Sequence, residues 1–183
     1  MADGVLKGIK VAVLCTDMVE RAELVEPWNA LEAAGADLEL VSDHADPIQL
    51  FIHYDKADTF PVDRTLEDAE PSDYAALMLP GGVGNPDTLR TNPKAVQFVE
   101  HFFETGKPVG AICHALWLLV EAAVTPGLTL TSWPSLHTDL VNAGATWVDQ
   151  EVVVDQNLVT SRKPDDIPAF NPRLVDLFAS VRV

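Results

Sequence analysis

The stretch Val109-Gly110-Ala111-Ile112-Cys113-His114 decides how the rest of the chain is read. Four small or apolar residues in a row describe a strand covered on both faces, and a helical run from about Ala115 to Ala123 follows at once. A strand that turns directly into a helix presents the residue at the elbow, here a cysteine, with backbone N–H groups beside it. Working outward, the alternation recurs. Apolar runs at Ile9 to Cys15, Leu38 to Val41 and Ala75 to Leu79 are separated by helical patterns, one through Ala30 to Ala34 and one from Pro93 to Glu104. Strands that are apolar throughout and alternate with helices define an α/β chain whose sheet is mostly parallel and packed on both sides.

The punctuation agrees. Gly35 follows Ala33-Ala34 and Gly106 follows Glu104-Thr105, where left-handed helix caps belong. Pro164 with Asp165 and Asp166 suits the first turn of a last helix, where proline loses no hydrogen bond and carboxylates face the positive dipole end. Ser42 to Pro71, rich in Asp and His, breaks the alternation and reads as an inserted strand pair with a loop. Thr129 to Trp147 reads as a short strand, a tight Ser132-Trp133-Pro134 turn and a helix ending near Gly144. Without repeats or a shift in composition, residues 1–183 are expected to form one domain.

Charge narrows the partners. With 28 acidic against 12 basic residues and a net charge of -16, the chain lacks the basic patches that sequence-independent nucleic-acid binding and anionic membranes require. Neither nucleic acid nor membrane is expected as a partner, whereas small neutral or cationic ligands stay open. Met1 to Lys7 has no signal-peptide stretch and no apolar run is long enough to cross a bilayer, so a cytoplasmic location is expected. Two cysteines, Cys15 and Cys113, make neither a disulfide framework nor a metal motif, and both are expected as reduced thiols. His44, His53, Asp55 and Asp58 match no familiar ligand spacing, so no metal and no cofactor is expected.

Chemistry in an open parallel sheet gathers beyond the carboxyl ends of the strands. Four features fall there: Thr16 to Glu23, Pro80-Gly81-Gly82, the Cys113 elbow, and Thr131-Ser132-Trp133-Pro134. The positive end of the following helix favours a thiolate at Cys113, and N–H groups of His114 and of Gly81 or Gly82 are placed to hold a developing oxyanion. Against this stands the plain alternative that Cys113 is a small core residue. Glu20 and Glu23 are either a solvated helix face or carboxyls held in an apolar crevice, where a raised pKa allows proton exchange with sulfur. His114 need not touch the sulfur of its neighbour, since adjacent residues on a helix point about 100° apart. Trp133 is the one tryptophan placed to line the crevice, and Cys15 is expected buried and inert.

These residues resemble a known family. Ala111-Ile112-Cys113-His114, Leu79-Pro80-Gly81-Gly82, Glu23-Leu24 with Glu26-Pro27, Thr131-Ser132-Trp133-Pro134, Asn142 to Asp149 and Val159-Thr160-Ser161-Arg162 occur in the order seen in the ThiJ/PfpI superfamily, most closely its PfpI intracellular-protease branch. The resemblance implies a flavodoxin-like three-layer sandwich and a homodimer or higher homo-oligomer. It also implies Cys113 as nucleophile, Glu23 as its carboxyl partner, and a triad in which His114 meets an acidic residue of a second subunit. The matching acid here is Asp87, shorter than the usual glutamate. After the elbow this chain has Ala115-Leu116 where the family commonly has Gly-Pro, a change expected to restrict the backbone or fill the pocket floor. The downstream His-x-Glu pair of triad glutamine amidotransferases is lacking. The implied substrates are small reactive carbonyls or glycated proteins, handled by a glutathione-independent glyoxalase or a deglycase. The alternatives are a cysteine peptidase and a non-enzymatic stress-response sensor or chaperone oxidised at Cys113.

Overall fold

Along β1 (Lys10–Leu14), Ala12 and Leu14 point to one face of the sheet and Val11 and Val13 to the other, and all four are buried. The period of two therefore serves two cores at once, as a strand covered on both sides must. The computed structural model describes residues 4–181. The terminal residues 1–3 and 182–183, over which the expected domain and the Met1 to Lys7 reading extend, lie outside the described residues.

In chain order, β1 is followed by β2 (Val19–Glu20), α1 (Arg21–Ala33), β3 (Asp37–Ser42), β4 (Ile48–Ile52), β5 (Asp55–Phe60), β6 (Arg64–Thr65) and β7 (Ala76–Leu79). Then come α2 (Gly84–Leu89), α3 (Pro93–Glu104), β8 (Val109–Ile112), α4 (Leu116–Glu121), β9 (Thr129–Leu130), α5 (His137–Asn142), β10 (Thr146–Trp147), β11 (Val152–Asp155), β12 (Leu158–Ser161) and α6 (Ile167–Ala179). The main sheet has the order β11-β12-β8-β7-β1-β3-β6, and every pair in it is parallel except β11 with β12. Helices cover both faces, giving the expected mostly parallel α/β sandwich. On one side α3 buries Ala95, Phe98, Val99 and Phe102, spaced as a single helical stripe, beside Leu118 and Leu119 of α4. On the other, α6 buries Ile167, Phe170, Leu174, Val175 and Phe178 against Leu24 and Leu31 of α1. Each such fully buried side chain contributes about 1.5–3 kcal/mol, so the two apolar layers dominate the packing.

The capping glycines stand as expected, Gly35 at φ 93° and Gly106 at φ 68°. The inserted strand pair is present as the antiparallel β4 and β5, but it is extended to three strands by β2, which runs parallel to β4. A two-residue strand straight after a loop carries no readable period. The expected helix after the elbow is shorter, a 3-10 turn over Cys113–Ala115 and then α4.

The topology places the site. From β1 the chain crosses to β3 on one side and later to β7 and β8 on the other, so the loops after β1 and β7 part company and leave a crevice at the carboxyl edge.

Candidate active site

Cys113 sits at φ 64°, a left-handed conformation that a side-chain-bearing residue adopts only against its own sterics. The bend swings the sulfur out of the line of β8 and into the crevice, where the residue stays 5% exposed. It also brings His114 to the sulfur, a contact that the angle between helical neighbours did not require. Side chains 100° apart require helical angles at both residues, and with Cys113 left-handed the Nδ1 of His114 lies 3.1 Å from the Cys113 sulfur. Burial lowers the His114 imidazole to a pKa of about 4, so it is neutral at physiological pH. Its ring stacks on Trp133 at 5.7 Å between centroids and meets the edge of Trp117 at 5.2 Å. Trp117 is in turn fixed by its indole N–H donating to Asp139 at 3.0 Å.

Glu23 approaches from the other side. It belongs to the first turns of α1 and is wholly buried. Its Oε2 accepts the Gly82 N–H at 3.2 Å. Oε1 is buried without a hydrogen-bond partner among the described residues, and the carboxyl and the Cys113 Cβ crowd the same space beside Gly81, so Glu23 and Cys113 stand side by side. Burial, aided by the charge of Glu20, raises Glu23 from an ordinary 4.5 to about 8, against the opposing pull of the hydrogen bonds it receives. Burial and the facing carboxyl push the Cys113 thiol up as well, while the N–H groups of His114 and Gly82 draw it down. Two acids that both resist charge across one contact titrate as a unit, the first proton leaving far more readily than the second.

The diglycine after β7 is dictated by space. A Cβ on Gly81 would stand 2.8 Å from the Cys113 Cβ and run into the Glu23 carboxyl. Gly82, at φ 78°, would drive a Cβ to 2.5 Å from the Met18 carbonyl and 2.6 Å from the Glu20 nitrogen. The buried Asn85 then ties the loops together. Its amide donates to the carbonyls of Pro80 at 2.9 Å and Gly81 at 3.0 Å, and its oxygen accepts the Thr16 N–H at 2.8 Å. Trp133 is fastened to the elbow by its N–H, which donates to the Cys113 carbonyl at 3.2 Å.

Together these surround an open cavity of about 460 Å³ lined by Glu20, Glu23, Gly82, Cys113, His114 and Trp133, joined by His53, Tyr54, Val83, Ser135 and Pro164. Gly81 stands behind Cys113 and Glu23. Asp87 is exposed on α2 and is not part of the cavity wall. Ala115 and Leu116 do not line it either, contrary to expectation. Ala115 has φ -54° and needs no glycine, and Leu116 is buried in the core under α4. His53 and Tyr54, which sequence reasoning missed as wall residues, reach the cavity from the β4–β5 turn, with His53 at φ 58°. The one signal for them was the polar, His-rich insert. Asn85 was missed too, its signal being a polar residue close behind a diglycine. Cys15 is wholly buried, with its thiol pushed up by that burial. No group of three or more His, Cys, Asp or Glu side chains is arranged to hold a metal among the described residues, and no described helix is long and apolar enough to cross a membrane.

An elbow cysteine, a buried glutamate and a diglycine at the carboxyl edge of a flavodoxin-like sheet define a class of α/β proteins with a strand-to-helix cysteine elbow. This chain belongs to the DJ-1/PfpI family, which it matches over residues 9–177. It is 39% identical over 168 residues to the putative cysteine protease YraA of Bacillus subtilis, covering 92% of this chain and 97% of that protein. It is also 39% identical over 173 residues to protein/nucleic acid deglycase 2 of Escherichia coli, covering 93% and 98%. General stress protein 18 of Bacillus subtilis is 42% identical over 165 residues, covering 90% and 94%. Among solved structures, Drosophila melanogaster DJ-1beta superposes with a TM-score of 0.83 at 26% identity, over 93% of this chain and 90% of that one. The name of the Escherichia coli relative runs against excluding nucleic acid from net charge. Bulk charge governs binding along a phosphate backbone and says nothing of a single modified base entering a cavity.

Proposed function

We propose that this chain is a cysteine-dependent enzyme of reactive-carbonyl chemistry, removing early glycation adducts or converting α-oxoaldehydes such as methylglyoxal. The observation that carries this reading is the buried Glu23 carboxyl standing beside Cys113 at the floor of an open cavity. The deglycase name of a relative at 39% identity supports the substrate class.

In the reactive form of the pair the remaining proton sits on Glu23 and the charge on sulfur. The thiolate adds to the aldehyde carbon of an α-oxoaldehyde and Glu23 protonates the oxygen, giving a hemithioacetal. With a glycated amine, sulfur displaces the amine from its carbinolamine, Glu23 gives the leaving nitrogen its proton, and the same hemithioacetal results. Glu23, now a base, moves a proton from the first carbon to the neighbouring carbonyl carbon while the hydroxyl proton passes to the second oxygen, which oxidises one carbon and reduces the other. Water then cleaves the thioester to a hydroxy acid and returns the proton to the pair. The N–H groups of Gly82 and His114, which draw the Cys113 thiol toward its charged form, are the donors we assign to a developing oxyanion. Lactate release from methylglyoxal tests the reading: turnover is expected for the native chain and none for Cys113→Ser, and equal rates for the two would sink it.

A second reading, a cysteine peptidase, rests on the 3.1 Å contact between Cys113 and His114 and on the name of the Bacillus relative. Here His114 protonates the leaving amine, and in a homodimer Asp87 of a second copy orients it. Peptide hydrolysis lost in His114→Ala and kept in Glu23→Gln would favour this reading over the first.

A further inference from the structure

The cavity above Cys113 is larger than the chemistry at its floor requires. Its volume of about 460 Å³ lies in the range that encloses a drug-sized ligand, while a three-carbon carbonyl fills only the bottom. Its fixed ionisable groups are one-sided: the acids Glu20 and Glu23 line it, and no Lys or Arg does. Glu23 holds its proton at neutral pH, accepts the Gly82 N–H and stands beside Cys113, which leaves Glu20 as the acid open to a ligand. Glu20 is committed only through Oε2, which accepts the His53 N–H at 2.9 Å and lies 4.0 Å from the His53 ring. Oε1 is the oxygen left for a ligand. Two partly open aromatic side chains line the same cavity, Trp133 at 37% exposure with one face stacked on His114 and Tyr54 at 91%. A largely buried carboxyl group sharing a cavity with two accessible aromatic rings is the combination that recognises an organic cation.

We propose that Glu20, Trp133 and Tyr54 form a subsite for a cationic nitrogen, the amine or guanidinium that bears the carbonyl adduct. The chain thereby selects adducts carried on basic side chains and rejects anionic oxo acids, whose carboxylate would meet two carboxyl groups and neither a lysine nor an arginine. This rests on Cys113 being the nucleophile, and the test separates the two claims.

Methanethiosulfonate reagents transfer an alkylthio group to a thiolate and release methanesulfinate, and they are made with a trimethylammonium, a sulfonate or a bare methyl group. Labelling rates at Cys113 are read by peptide mass, with buried Cys15 as an internal control. The cationic reagent is expected to label on the order of tenfold faster than the anionic one, and Glu20→Gln to cut the cationic-to-methyl ratio several-fold, roughly as the loss of one close charge demands. Trp133→Ala is expected to cut it about two- to fivefold. The methyl reagent reports thiol reactivity, so any indirect effect of these substitutions on Cys113 divides out. Glu104→Gln, exposed at the end of α3, changes the net charge equally and is expected to leave the ratio alone. A ratio unmoved by Glu20→Gln, or moved as far by Glu104→Gln, overturns the subsite and leaves the nucleophile standing. No labelling of native Cys113 by any of the three reagents overturns the nucleophile and the subsite with it.

Discussion

The two edges of the central sheet differ in kind. At the carboxyl edge a cysteine is held left-handed, a carboxyl is buried against it, and two glycines leave no room for a side chain. At the amino edge lies a larger cavity, about 680 Å³, between Tyr74, Lys107 and Asn157, and there the polar groups are matched. Lys107 donates to the carbonyls of Ser72 and Tyr74, Asn157 donates to the Lys107 carbonyl, and the Tyr74 hydroxyl donates to Glu39. Size alone would choose the wrong edge. Both edges carry a left-handed residue, Gln156 at φ 52° beside the amino-edge cavity and Cys113 at the other. What separates them is that the carboxyl edge keeps a buried thiol and a buried carboxyl oxygen without a hydrogen bond, while the polar groups named at the amino edge are paired.

That contrast can be broken most forcefully at Gly82. Gly82→Ala combines a left-handed residue with two backbone clashes and is expected to cost on the order of 3 kcal/mol or more, with Cys113 reactivity lost, as chemical denaturation and thiol labelling will read. Next comes Glu23. Its carboxyl binds a proton more tightly folded, at about 8, than unfolded, near 4.5. The linked stability is complete below pH 4.5 and is lost as pH rises to 8. Native protein is therefore expected to lose on the order of a few kcal/mol relative to Glu23→Gln between pH 5 and 8. Parallel denaturation curves for the two across that range would contradict a buried, protonated carboxyl.

The amino edge sharpens the comparison from the other side. Lys107→Met removes two hydrogen bonds to carbonyls and is expected to cost about 1–2 kcal/mol of stability, with Cys113 labelling by a neutral thiol reagent unchanged. Gly106→Ala meets open space at φ 68° and is expected to cost only about 1 kcal/mol. A penalty as large as that at Gly82 would mean that glycine strain is not a mark of the site.

Much of this was legible in the residues. Pro93 to Glu104 and Val109 to Ile112 form the helix and strand expected of them, because each presents a clean period, ended by Gly106 in one case and by the elbow in the other. The start of α1 was not legible. Its inward positions are Glu23, Leu24, Pro27 and Leu31, and a buried glutamate and an internal proline erase the apolar stripe that announces a helix. The His114 contact was hidden for a related reason. It depends on a backbone angle at Cys113 that no side-chain pattern encodes. Local periodicity records packing, and the site is built where packing rules are suspended.

The left-handed angle at Cys113 also separates what the backbone needs at this position from what the side chain does. Glycine would sit there without strain, so the fold by itself calls for no side chain at the elbow. Under the proposed chemistry the strained turn is what presents the thiol to the cavity.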